Sequence, residues 1–119
     1  MPSPDPAGQL PLTPAVLHIL LALAGGERHG YAIASEVEET TSGAVRMGPG
    51  TLYGSIQRMS SAGLIEEVST KRAGDDDERR RYYRLTGVGR KLVQAEAERL
   101  EQLVNIARAK RLLRSPRSA

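Results

Sequence analysis

Five apolar residues near the C-terminus, Val93, Ala97, Leu100, Val104 and Ala107, stand four, three, four and three positions apart. That spacing holds side chains on one stripe of an α-helix, and it is how a helix packs lengthwise along another helix. Thr86 offers a cap for the helix start, and Leu92, Leu103 and Ile106 flank the stripe, so the pattern predicts a helix over residues 87–113. Such a helix, at about 27 residues, is about 40 Å long. A domain of this size cannot cover that length by itself. The stripe therefore calls for a partner, most simply a second copy of the chain about a two-fold axis. Val93, Ala97, Leu100, Leu103, Val104 and Ala107 are the expected dimerisation residues.

The elements upstream are short. Thr13 followed by Pro14 marks a helix start, and Gly25-Gly26 marks its end. Between them Val16, Leu17, Ile19, Leu20, Leu21 and Leu23 cover nearly the whole circumference, so something besides this domain's own core is expected on one side. A second helix is predicted over 30–41, with Tyr31, Ile33, Ala34 and Val37 inward and Glu36, Glu38 and Glu39 outward, stopping at Ser42-Gly43. A third starts at Pro49. Its Leu52, Ile56 and Met59 fall on one face, Gly63 is its left-handed stop, and Gly50, Tyr53, Gly54, Gln57 and Ser61 lie on the other face. Residues 64–68 read as a strand, 71–78 as a turn-rich tip, and 80–85 as an alternating strand, which together make a β-hairpin. The 119 residues include no Cys, Phe or Trp and only four Tyr, so the core must be built from Leu, Ile, Val, Met and Ala. The expected fold is mainly α with a small β-hairpin. It divides into an N-terminal arm (1–10) and a tail (114–119), both expected to be disordered, a domain over 11–86, and a dimerisation helix over 87–113.

Three short helices followed by a hairpin with a basic base is the order of a winged helix-turn-helix, whose third helix enters the major groove of DNA. Gly50 and Gly54 would let the backbone approach the groove wall. Gln57 and Arg58 are candidates for base readout, because Gln can pair with adenine and Arg with guanine, and Thr51 and Tyr53 for contacts to phosphate. A core role for Tyr53 and a plain surface charge at Arg58 remain open alternatives. Charge is distributed to suit a basic wing: residues 1–70 hold three basic side chains against seven acidic, whereas 71–119 hold fourteen against seven. Lys71, Arg72, Arg79, Arg80 and Arg81 at the wing's base can neutralise phosphates, the alternative being a solvated charge run. Asp75, Asp76, Asp77 and Glu78 would repel phosphate, so the tip is expected in solvent. They lack the spacing of a calcium loop.

The run GTLYGSIQRM (50–59), then GLI (63–65), a polar segment and RRRYYRLTGVGR (79–90), together with LTPAVLHILLAL (12–23) and HGYAI (29–33), resembles the PadR-like family of bacterial transcription regulators. The resemblance covers roughly residues 12–113. It implies a dimeric repressor whose recognition helix and wing bind a palindromic double-stranded DNA operator, whose last helix makes the dimer, and whose repression a small molecule or stress signal relieves. This chain departs from common members at Gly48, where a capping Ser is frequent, at Gly54, where Pro is frequent, and at Ser60-Ser61, where a Glu pair is usual. Gly54 lowers helix propensity by about 1 kcal/mol relative to Ala.

A small-molecule effector could lie between the first and last helices across the dimer axis, lined by Val16, Leu20, Leu100 and Val104, although tight dimer packing accounts for the same residues. No aromatic side chain is available near those helices for stacking. His18 and His29 have no partner at ligand spacing and are expected to be structural. Neither a catalytic triad nor a phosphate loop is present. No metal, cofactor or enzymatic activity is expected. The apolar stretch over 14–24 is about half of the roughly 20 residues that span a bilayer, and the N-terminus lacks a basic leader, so the expected location is the cytoplasm and no membrane partner is expected. A competing use of the same fold is a protein-interaction module whose basic wing binds an acidic partner.

Overall fold

The computed structural model describes residues 9–68 and 81–114. Its elements run α1 (Pro14–Ala24), β1 (Arg28–His29), α2 (Gly30–Thr40), α3 (Pro49–Ser61), β2 (Ile65–Val68), β3 (Tyr82–Leu85) and α4 (Gly87–Ala109). Lys71, Arg72, Arg79 and Arg80, the acidic tip, and most of the arm and the tail lie outside the described residues.

Local chemistry sets the helix ends. The Thr13 hydroxyl accepts the Val16 N–H at 3.4 Å, with Pro14 in the first turn. α2 stops where Ser42 and Gly43 turn left-handed at φ 52° and 80°, and there the Gly43 N–H returns to the Glu38 carbonyl at 2.8 Å. Thr41 ties that turn together, donating to the Val37 carbonyl at 2.8 Å and accepting the Val45 N–H at 3.0 Å. α3 begins at Gly48-Pro49 with no side-chain cap and ends at Gly63, φ 77°.

α1 is the central pillar. Its Ile19, Leu20 and Leu23 are buried with Ile33 and Val37 of α2, Leu52, Ile56 and Met59 of α3, Ile65 and Tyr83 of the sheet, and Leu92 and Val93 of α4. A helix serving so many neighbours needs apolar residues nearly all round, and only Leu21 of its large side chains is left well exposed. The sheet is antiparallel in the order β1-β3-β2, with Ile65 opposite Leu85 and Val68 opposite Tyr82. The hairpin strands are as expected, but β1 is an added third strand that pairs Arg28 with Tyr83 and His29 with Tyr82. Two residues cannot carry a period-two pattern.

Three expectations are corrected. Tyr31 is 76 % exposed and is not part of the α2 inner face, because it sits about 100° round the helix from Gly30. The last helix ends at Ala109 and not near residue 113, with Arg111 at φ 63° just beyond it. The expected division at 86/87 does not hold either, because the N-terminal half of α4 is built into the domain, with Gly89, Leu92, Val93 and Glu96 buried. Thr86 fastens that half to the end of α3. Its hydroxyl lies 2.6 Å from the Gly63 carbonyl and 3.0 Å from that of Leu64 and accepts the Gly89 N–H, while its backbone N–H donates to Leu64. Gly89 has to be small, since a Cβ there would overlap the Leu64 carbonyl oxygen.

Candidate nucleic-acid interface

α2 and α3, joined by a turn that Thr41 holds, form a helix-turn-helix. Burial of Leu52, Ser55, Ile56 and Met59 fixes which way α3 faces. By helical geometry Gly50, Gly54, Gln57 and Ser61 then lie opposite that stripe, with Tyr53 on one flank and Thr51 and Arg58 on the other. Gly50, Thr51, Gln57 and Arg58 are all exposed. Nothing lies within 4 Å of where a Gly50 side chain would begin, and at Gly54 only the Arg58 guanidinium does, at 3.4 Å. Packing among the described residues therefore requires neither glycine.

Tyr53 is neither a core tyrosine nor a free surface one. It is 50 % exposed, yet its ring leans on the start of α2 so closely that a Cβ at Gly30 would come within 2.7 Å of its hydroxyl oxygen. Arg58 turns back along α3 and donates to the buried Ser55 hydroxyl at 3.2 Å. No carboxylate pairs with it among the described residues.

An aromatic corner adjoins this face that sequence reasoning missed. The His29 ring stacks on Tyr31 at 6.4 Å and meets the edge of Tyr82 at 5.5 Å. Its Nδ1 accepts the Ala32 N–H at 3.1 Å and so caps α2, as the expectation of a structural histidine implies. The tautomer this requires carries its proton on Nε2. The HGY run was visible, but nothing in it announces that β3 delivers Tyr82 to the same spot. Behind the corner, burial pushes the Tyr83 hydroxyl above the usual tyrosine range, and the Glu67 charge adds to this.

At the wing, Arg81 is exposed and 3.7 Å from Glu67, and Arg84 donates to Glu66 at 2.7 Å across the β2–β3 pair. These arginines are thus partly neutralised within the chain, and a phosphate would have to compete with the carboxylates. Of the residues expected at a dimer seam, Val93 is 5 % exposed and packed in the chain's own core. Ala97 and Leu103 are exposed, and Leu100, Val104 and Ala107 are half-buried. Of the suggested effector residues, Leu20 is sealed in the core. Val16 lines a cavity of about 260 Å³ whose other walls include neither Leu100 nor Val104. Among the described residues no cluster of His, Asp or Glu could hold a metal, and no helix is long and apolar enough to cross a membrane.

A helix-turn-helix with an exposed, glycine-bearing third helix, followed by a two-stranded wing, defines a winged-helix protein of the DNA-binding class. The model of the transcriptional regulator PadR-like family matches residues 16–95, and the chain belongs to that family. It is 38 % identical over 87 residues to the transcriptional regulator Rv3488 of Mycobacterium tuberculosis, covering 73 % of this chain and 76 % of that one. It is 36 % identical over 89 residues to an uncharacterised 37.1 kDa protein in transposon TN4556 of Streptomyces fradiae, covering 75 % of this chain but only 24 % of that protein's length. Two solved structures share the fold. A PadR family transcription regulator from Clostridium difficile has a TM-score of 0.66 at 23 % identity, covering 80 % of this chain and 95 % of that one. Bacillus subtilis PadR in complex with operator DNA has a TM-score of 0.60 at 22 % identity, covering 71 % and 47 %.

Proposed function

We propose that this chain is a homodimeric repressor that binds a palindromic operator through α3 and the wing, works in the cytoplasm, and is released by a small molecule. The observation that carries the reading is the outward face of α3. Two glycines that packing among the described residues does not require stand among Thr51, Tyr53, Gln57 and Arg58, a surface suited to close approach with hydrogen-bonding groups on either side. Bacillus subtilis PadR, which shares the fold, was solved with operator DNA, and this supports the assignment.

In this reading Gln57 and Arg58 read base edges, Thr51 and Tyr53 position the helix through phosphate, and Arg81 with Lys71, Arg72, Arg79 and Arg80 neutralises the backbone. Dimerisation uses the C-terminal half of α4, where Ala97, Leu100, Leu103, Val104 and Ala107 continue the stripe beyond the domain. Leu103 and Ile106 are 49 % and 52 % exposed in the single chain. The test is a mobility shift on DNA from upstream of the chain's own gene. A sequence-preferring shift that weakens steeply with added salt is expected. A folded dimer that shifts no such DNA at low salt would overturn the proposal, and capture of an acidic protein with no operator preference would favour the protein-interaction alternative.

A further inference from the structure

The cavity of about 260 Å³ that Val16 lines sits where α1, α3, α4 and the segment before α1 meet. Its walls come from the segment leading into α1 (Leu12), α1 (Val16), α3 (Arg58 and Met59), the turn between α3 and β2 (Leu64), and α4 (Leu92). The segment before α1 is tied to α4: the Leu12 N–H donates to the buried Glu96 carboxylate at 2.8 Å, and Arg99 answers that carboxylate's charge. Glu96 is thus spoken for, and its charge is not left to oppose an anion near that segment. Among the described residues the lining carries one cation and no aromatic ring. That cation, Arg58, has no carboxylate partner among the described residues and is held only by the Ser55 hydroxyl.

An open, mainly apolar pocket of this size with one arginine among its lining residues, whose guanidinium rests beside Ser55 and Gly54 and is free of any carboxylate among the described residues, suits a small amphiphile with an apolar body and a negative head. The absence of aromatic side chains argues for an aliphatic body, which needs shape and dispersion contacts but no stacking partner. We infer that this cavity binds a medium-chain aliphatic carboxylate, whose chain lies among Leu12, Val16, Met59, Leu64 and Leu92 and whose carboxylate pairs with Arg58. The same guanidinium stands on the flank of the face of α3 proposed to meet DNA. Occupancy withdraws Arg58 from the nucleic acid and loads the joint where Thr86 and Gly89 clasp the end of α3. This second consequence rests on the DNA-binding reading, whereas the binding itself does not.

The experiment is calorimetric titration of the full chain, without DNA, with decanoate and with decanol, both below their aggregation limits. Saturable uptake of one decanoate per chain is expected, with decanol at least about tenfold weaker because it cannot form the charge-assisted pair. Arg58→Met should abolish that preference by weakening the acid alone. Ala62→Leu, at an exposed lining position, should fill the chamber and abolish uptake while leaving the melting temperature of the free chain unchanged. Should that variant fail to fold, Val16→Phe fills the same space from α1. No saturable uptake, equal binding of acid and alcohol, or unchanged uptake in a folded cavity-filling variant would each overturn the inference. A mobility shift with decanoate added then reads the coupling: operator affinity should fall about tenfold in the wild type, the order of one lost guanidinium contact, and not in Arg58→Met. If the ligand-free chain binds no operator while decanoate still binds, the DNA reading fails and the ligand site stands.

Discussion

Glu96 is a carboxylate only 1 % exposed, and it is stable there because each side of it is answered. Arg99, one helical turn on, donates to Oε1, and the Leu12 N–H donates to Oε2 from 84 residues away in sequence. The Arg99 hydrogen bond is the main reason its pKa lies below the ordinary carboxylate range. Burial works against this, and the Leu12 N–H and the Arg99 charge work with it. Because the folded value is the lower one, the stabilisation is complete above the unfolded value of about 4.3 and is lost as pH falls through the folded value. Thermal melts between neutral and strongly acidic pH should therefore show a loss of stability below about pH 4.3 that Glu96→Gln shows to a smaller degree. Gly54 makes the opposite case. A methyl group there meets only the movable tip of Arg58, so Gly54→Ala should stabilise the free chain by about 1 kcal/mol in denaturant titration. The same change should weaken operator binding, since the added group stands on the approaching face. Gly54 could be singled out from the sequence alone. Glu96 could not, because what identifies it is the Leu12 N–H just before α1, which no local pattern links to it.

Every helix end but the last was legible because caps and stops are local chemistry; α4 stops at Ala109, short of the expected 113. Thr13-Pro14, Ser42-Gly43, Gly48-Pro49, Gly63 and Thr86 sit at the boundaries their residue types imply. What periodicity could not resolve is where an inner face ends. Tyr31 lies one residue from the buried Gly30 and two from the buried Ile33, yet it points out beside His29. Neither could it show β1, whose partner strand lies more than fifty residues away, nor that the first turns of α4 belong to the core. The α4 backbone comes so close to the chain after α3 at Gly89 that a Cβ there would overlap the Leu64 carbonyl oxygen. Backbone cannot move aside as a side-chain tip can. Gly89→Ala should thus cost about 1–3 kcal/mol of stability, measured by denaturant unfolding, where the same change at Gly54 adds to it.

At the scale of the molecule, α4 changes surroundings along its length. Its beginning is enclosed by the chain, while the same apolar stripe farther on, from Leu100 through Leu103 to Ala107, has only partial cover. Apolar groups left so exposed over successive turns favour association. Leu103→Lys with Ile106→Lys should yield a monomer by sedimentation or light scattering, because two charges at an apolar seam cannot be desolvated cheaply. The monomer should remain folded, since neither residue belongs to the buried core. Loss of operator affinity should follow, as two half-sites would no longer be held by one particle.

The unbroken passage of α4 from the core into open space also makes it a spacer with a fixed phase. Thr86 and Gly89 lock its root to the end of α3, and α4 runs without interruption as one helix from Gly87 to Ala109. In a symmetric pair, the separation and relative twist of the two reading helices would then be set by residue count along one rod and not by a flexible joint. One residue inserted between Glu96 and Leu100 would advance the far half by about 1.5 Å and turn it by about 100°. The two halves of a palindrome would be addressed out of step, although every residue that touches DNA remained in place.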